Sequence, residues 1–152
     1  MLARLFTAVF LVVNVVATGS VGATGTKTSM WFDSPREILE GARLIDSGET
    51  QKGMAMTRNA LELNLDLYAV AVVHTNLCAG YLQLKQYRQA IAHCDKALAI
   101  RPGQWQALNN RGGAYYGLAE YDQAAGDYTQ ALTYRPDNAD LETNLEMVLR
   151  EQ

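Results

Sequence analysis

Little in this sequence is specialised. Three prolines and two cysteines among 152 residues exclude collagen-like, proline-rich and disulfide-dense scaffolds. Two histidines leave scant material for acid–base catalysis or a multi-imidazole metal centre. Charge is sparse as well: 13 Lys and Arg against 16 Asp and Glu give a formal net charge of −3. That balance lacks the basic excess with which nucleic-acid binders neutralise phosphates. A charged fraction of 19% beside an apolar fraction of 49% is equally unlike a self-repelling disordered chain. The composition is globular and mildly acidic, at a length one domain ordinarily occupies.

The chain opens Met1-Leu2-Ala3-Arg4 and then runs uncharged from Leu5 to Ala17. A short positive start followed by a brief apolar stretch has the form of a secretory signal peptide, and Val21-Gly22-Ala23 supplies small residues for cleavage after residue 23. A spanning helix needs about 20 apolar residues, so an uncleaved inner-membrane anchor is the weaker alternative. Export to the periplasm or the medium is therefore expected. Residues 24–33 read as a polar leader ending in Trp31-Phe32.

The rest of the chain is periodic. Sliding residues 71–104 onto 105–138 matches ten positions, among them Asn76/Asn110, Tyr81/Tyr115, Ala90/Ala124, Ala97/Ala131 and Pro102/Pro136. Chance alone gives about two. Within each 34-residue unit, apolar residues recur at three- and four-residue steps on either side of a turn, the mark of two helices. Leu108, Tyr115 and Leu118 trace the first of these in the second copy, and Ala124, Tyr128, Ala131 and Leu132 the second. Gly112, Ala124 and Ala131 put small side chains where the two helices must cross.

These residues resemble the tetratricopeptide repeat, a 34-residue helix–turn–helix unit. Numbered within each unit, Cys78 and Gly112 stand at the family's small position 8 and Tyr81 and Tyr115 at its aromatic position 11. The alanine pairs Ala90/Ala97 and Ala124/Ala131 fall at positions 20 and 27, and Pro102 and Pro136 at position 32. A degenerate unit over residues 34–67 precedes them, with Gly41, Leu44 and Gly53 in register and Ser34-Pro35-Arg36-Glu37 as a helix start. Residues 139–152 then supply one polar-ended capping helix. The resemblance implies an all-α, right-handed α-solenoid of antiparallel helix pairs: about three units plus a cap.

It also implies a concave groove lined by the first helix of each pair. In the second unit the groove positions are Val72, Thr75, Asn76, Ala79, Leu82 and Gln83. In the third they are Gln106, Asn109, Asn110, Gly113, Tyr116 and Gly117, and the cap adds Asp140, Thr143, Asn144 and Met147. Asn76, Asn110 and Asn144 repeat at the period, and an amide with two donors and an acceptor suits a rail for an extended peptide. Structural amides bonding a neighbouring helix are the equal alternative. Small residues at 79, 113 and 117 leave room for a ligand backbone. Relatives that grip an acidic carboxyl tail use Lys and Arg where this chain has Ile38, Ala42 and Gln106, which counts against that mode.

Counted from the turn, Arg111 on the first helix and Asp127 on the second are level, so a structural ion pair between them is expected. Cys78 and Cys94 face one another in the same way, and an oxidising compartment would allow a disulfide. Buried free thiols are the alternative, and a metal site formed with His74 is a remote third. No constellation of nucleophile, base and oxyanion donors falls at a plausible cleft. The sequence therefore predicts no enzyme, no catalytic residue, no cofactor and no metal. It predicts an envelope adaptor or scaffold that binds a protein or peptide partner, with no nucleic acid, and with membrane contact only if the N-terminal segment stays attached. A structural subunit of a larger envelope complex is the competing role.

Overall fold

The computed structural model describes residues 35–152. The signal segment, the leader with Trp31-Phe32, and Ser34 lie outside that range. Seven α-helices follow in order: α1 (Arg36–Asp46), α2 (Thr50–Asn59), α3 (Leu67–Gln83), α4 (Tyr87–Ile100), α5 (Trp105–Gly117), α6 (Tyr121–Tyr134) and α7 (Ala139–Leu149), with a 3-10 turn, Ala60–Glu62, after α2. None of the described helices is long and apolar enough to cross a membrane.

Local chemistry sets the boundaries. Asp66 and Asn138 cap α3 and α7 by accepting from the backbone N–H of Ala69 at 2.7 Å and Leu141 at 3.0 Å. The expected start at Ser34 moves one residue on: Pro35 occupies the N-cap place of α1 and Arg36 begins the helix. The α3–α4 and α5–α6 turns are closed alike. Lys85 and Ala119, 34 residues apart, take φ values of 58° and 59°. The N–H of Gln86 donates to Tyr81 O and that of Glu120 to Tyr115 O, both at 2.9 Å. A left-handed residue followed by such a six-residue closure satisfies the last carbonyls of the first helix.

The helices pack as consecutive antiparallel pairs, α1–α2, α3–α4 and α5–α6, each pair also touching the helix that follows it. The first helices pack on one another along the stack, α1 on α3, α3 on α5 and α5 on α7, whereas α2, α4 and α6 make no comparable contact among themselves. The stack closes on the side of α1, α3, α5 and α7, and that side is its inner face. Two buried clusters run along it. One spans α1 to α3 through Ile38, Ile45, Met54, Val73 and Leu77; the other spans α3 to α7 through Leu108, Tyr128, Leu141 and Val148.

Small residues serve two purposes at the crossings. In the first pair, backbone meets backbone: a β-carbon on Gly53 would lie 2.5 Å from Gly41 O and 2.7 Å from Ile45 N. In the third, Gly112 makes room instead for the Tyr128 ring, whose Cε1 would sit 2.9 Å from a β-carbon there. Gly53→Ala should therefore force α1 and α2 apart and cost about 2 kcal/mol, within the range for overpacking, as urea unfolding would measure. An unchanged midpoint would show that the pair can slide.

Candidate functional site: the inner helix face and its two polar clusters

The predicted groove residues do not form a uniform surface. Thr75 and Asn110 are each only 6% exposed, which corrects the expectation that they face a ligand. Thr75 Oγ1 turns back to Ala71 O at 3.0 Å, within its own helix. Asn76 Nδ2 donates to Ile38 O at 3.2 Å, tying α3 to α1. Gln83 Oε1 accepts from Thr50 Oγ1 at 2.6 Å, and Asn144 Nδ2 donates to Asn109 Oδ1 at 3.0 Å. Three asparagines at one repeat position thus stand in three settings: helix-bridging, buried, and paired with a neighbouring amide. Each bonded amide retains one donor hydrogen.

The room expected beside small residues is largely filled. A β-carbon on Gly113 would lie 3.1 Å from Leu82 Cδ2, and one on Gly117 would run into the Tyr87 ring. These glycines admit neighbouring side chains of the protein, not a guest. Ala79, Gln106, Asn109, Gly113 and Tyr116 remain half-buried on α3 and α5, with the Tyr116 ring tilted against Tyr121 at 5.7 Å between centroids. Ile38 is buried at 1% exposure, so that place in α1 offers nothing to an acidic tail.

Two polar clusters lie between paired helices, one in α5–α6 and one in α3–α4. Arg111 on α5 engages Asp127 on α6 through two parallel bonds, Nε to Oδ2 at 2.8 Å and Nη2 to Oδ1 at 2.7 Å, and reaches Asp95 on α4 through Nη1 at 2.6 Å. The hydrogen bond to Asp127 raises the Arg111 pKa further, against the opposing effect of burial. This fork joins three helices and two successive units, and the contact with Asp95 has no counterpart in the within-unit reasoning that placed Asp127.

In the preceding unit, Cys78 and Cys94 are joined as a disulfide with Cα atoms 5.4 Å apart, and both residues are fully buried. Beside it, His74 on α3 and His93 on α4 approach to 3.1 Å between Nδ1 atoms. Tyr81 stacks on the His93 ring at 5.2 Å. His74 therefore meets His93 rather than the sulfurs. Counting from the turn does not pair these two, because they are 19 residues apart where Arg111 and Asp127 are 16 apart.

Burial, the other imidazole, Lys96 of α4 and Arg58 of α2 together push the His93 pKa down to about 4, and burial with Lys96 lowers that of His74. A histidine neutral in the folded state takes up its proton on unfolding, so its contribution holds above pH 6.5 and fades as pH falls toward 4. With solvent screening of these half-exposed rings, the loss between pH 7 and pH 5 should be about 1 kcal/mol. Urea unfolding of metal-free protein, wild type against a His74→Phe/His93→Leu variant, checks this: the variant should lose that slope. An equal slope in both would place the acid sensitivity elsewhere.

Comparison with known proteins matches this architecture. Tetratricopeptide repeat models match residues 71–104 and 105–138. The tetratricopeptide domain of Arabidopsis OM64 superposes with a TM-score of 0.71 at 26% identity, covering 78% of this chain and 96% of that one. The first tetratricopeptide domain of Spaghetti (RPAP3), solved bound to the HSP90 peptide SRMEEVD, gives a TM-score of 0.67 at 23% identity over 75% of this chain and 88% of that one. Peptidyl-prolyl cis-trans isomerase PASTICCINO1 of Arabidopsis thaliana is 34% identical over 61 residues, which are 40% of this chain and 10% of that protein. This chain thus spans about a tenth of that curated relative. Residues 71–104 and 105–138 are tetratricopeptide repeats, set in an all-helical solenoid of that kind.

Proposed function

We propose that the protein is an exported interaction adaptor that holds an extended peptide or a helix of another protein against the inner face of α3, α5 and α7. The observation that carries the reading is the packing of the first helices on one another, with Gln106, Asn109 and Tyr116 of α5 left half-buried rather than covered. The Spaghetti domain, similar in fold, is one solved with a peptide. Free amide hydrogens on such a face suit a peptide backbone, and the role is binding rather than catalysis.

The partner segment is expected to be neutral. On α1, Arg43 is already engaged by Glu40 through two bonds, and α3 carries no Lys or Arg. Affinity should therefore change little with salt, unlike that of a site built to hold carboxylates. Support for export comes from the apolar N-terminal segment and from a buried disulfide, a bond that persists in oxidising compartments.

The test is capture of partners from native envelope fractions by wild type and by Gln106→Ala/Tyr116→Ala. The double variant should bind a captured partner at least tenfold more weakly while unfolding at an unchanged temperature. Retention of every partner at wild-type affinity would remove the inner face from the account.

A further inference from the structure

The chain has two histidines in all, and the fold brings them together on different helices with their Nδ1 atoms 3.1 Å apart. We propose that His74 and His93 form a two-imidazole chelate for a borderline divalent transition ion of the zinc or copper(II) class. This departs from the sequence-based expectation of no metal, which considered His74 only with the cysteines.

The geometry is that of two ligands on one ion. Zinc–imidazole bonds are about 2.0–2.1 Å long. Two such bonds to nitrogens 3.1 Å apart subtend about 98° at the metal, between the octahedral and tetrahedral angles. The rings are inclined at 47°, and at 3.1 Å the two Nδ1 atoms are close enough to share one proton or to be bridged by one ion. The nitrogens are also held in place. Cys78 lies one turn beyond His74 and Cys94 is next to His93, and their disulfide pins α3 to α4. Tyr81 stacks on the His93 ring. Both imidazoles are half-buried, so an ion can reach them from solvent, and water completes its coordination.

Chemistry selects the class of ion. Among the described residues no group of three His, Cys, Asp or Glu side chains is placed to hold a metal, so the oxygen-rich shell of calcium or magnesium is missing. Lys96 and Arg58 lie close enough to repel any cation, so only an ion that binds imidazole strongly would be held. Zinc, copper(II) and nickel(II) bind imidazole well enough to tolerate such surroundings. The disulfide sulfurs are already bonded to each other, so the site differs in kind from a thiolate centre.

The experiment is calorimetric titration of zinc sulfate and copper(II) sulfate into untagged, disulfide-intact protein. One equivalent should bind at pH 7.5. His74→Gln and His93→Gln should each lower the affinity at least tenfold. Electron paramagnetic resonance of the wild-type copper(II) form gives a readout independent of how the variants fold, and directly bound imidazole nitrogen is the expected signal. Absence of a one-equivalent event, undiminished affinity in either variant, or an oxygen-only copper spectrum would each overturn the proposal.

Discussion

Replacing Cys78 and Cys94 together by alanine should lower the unfolding free energy by about 3 kcal/mol. The bridge closes a segment of sequence separation 16. On the chain-entropy account, a crosslink of about 15 residues restrains the unfolded ensemble by about 3 kcal/mol. The sulfurs are also core atoms: both cysteines are fully buried, and Cys94 Sγ lies 3.0 Å from Ala107 O on the next unit. Losing them leaves small voids that add to the cost. For a folded region of this size the melting temperature should fall on the order of 10 °C. Urea unfolding of wild type, of reduced wild type and of the double alanine variant separates the two contributions: reduction removes the crosslink, and truncation removes the packing as well. A combined loss below about 1 kcal/mol would show that the bridge does not stabilise the pair in solution.

Removing Arg111 alone should be nearly as costly. The Asp127 side chain is 7% exposed and accepts both bonds of the guanidinium fork. Arg111→Met would leave that carboxylate buried with no cation, a situation that costs about 3 kcal/mol or more. Arg111→Met/Asp127→Leu removes both charges and should recover to within about 1 kcal/mol of wild type, since apolar replacement of a buried pair is often neutral or better. Asp95→Asn should cost under about 0.5 kcal/mol, because Asp95 is 52% exposed and water competes for such a contact. The double-mutant cycle is the measurement. If the double variant is as unstable as Arg111→Met, the arginine acts through its packed stem rather than its charge.

How far the sequence could be read depended on how far apart the contacting residues lie along the chain. Cys78 with Cys94 and Arg111 with Asp127 sit across a single turn, and counting from that turn places each pair level. His74 and His93 escape that counting, because their separation of 19 residues sets His74 about one helical turn beyond the place level with His93, and because two histidines suggest no bond by their chemical type as two thiols or opposite charges do. The groove residues were harder. Asn76, Asn110 and Asn144 share a repeat position, but an end unit, an inner unit and a cap offer that position different neighbours. Periodicity assigns a helix face within about a quarter turn. Whether a side chain at the edge of that face meets solvent, as Gln106 partly does, or the core, as Asn110 does, is decided by the next helix.

By itself the sequence determined the helix pairs, their 34-residue period, the turns, and which residues oppose each other inside a unit. These depend on helical pitch and hairpin closure, which act over fewer than twenty residues. Only the tertiary structure decided what crosses from one unit to the next: Asp95 to Arg111, Asn76 to Ile38, Gln83 to Thr50, and Leu82 filling the space beside Gly113. Those contacts depend on the rotation of each pair against its neighbour. That rotation is set by many packed side chains at once and leaves no local pattern in the chain.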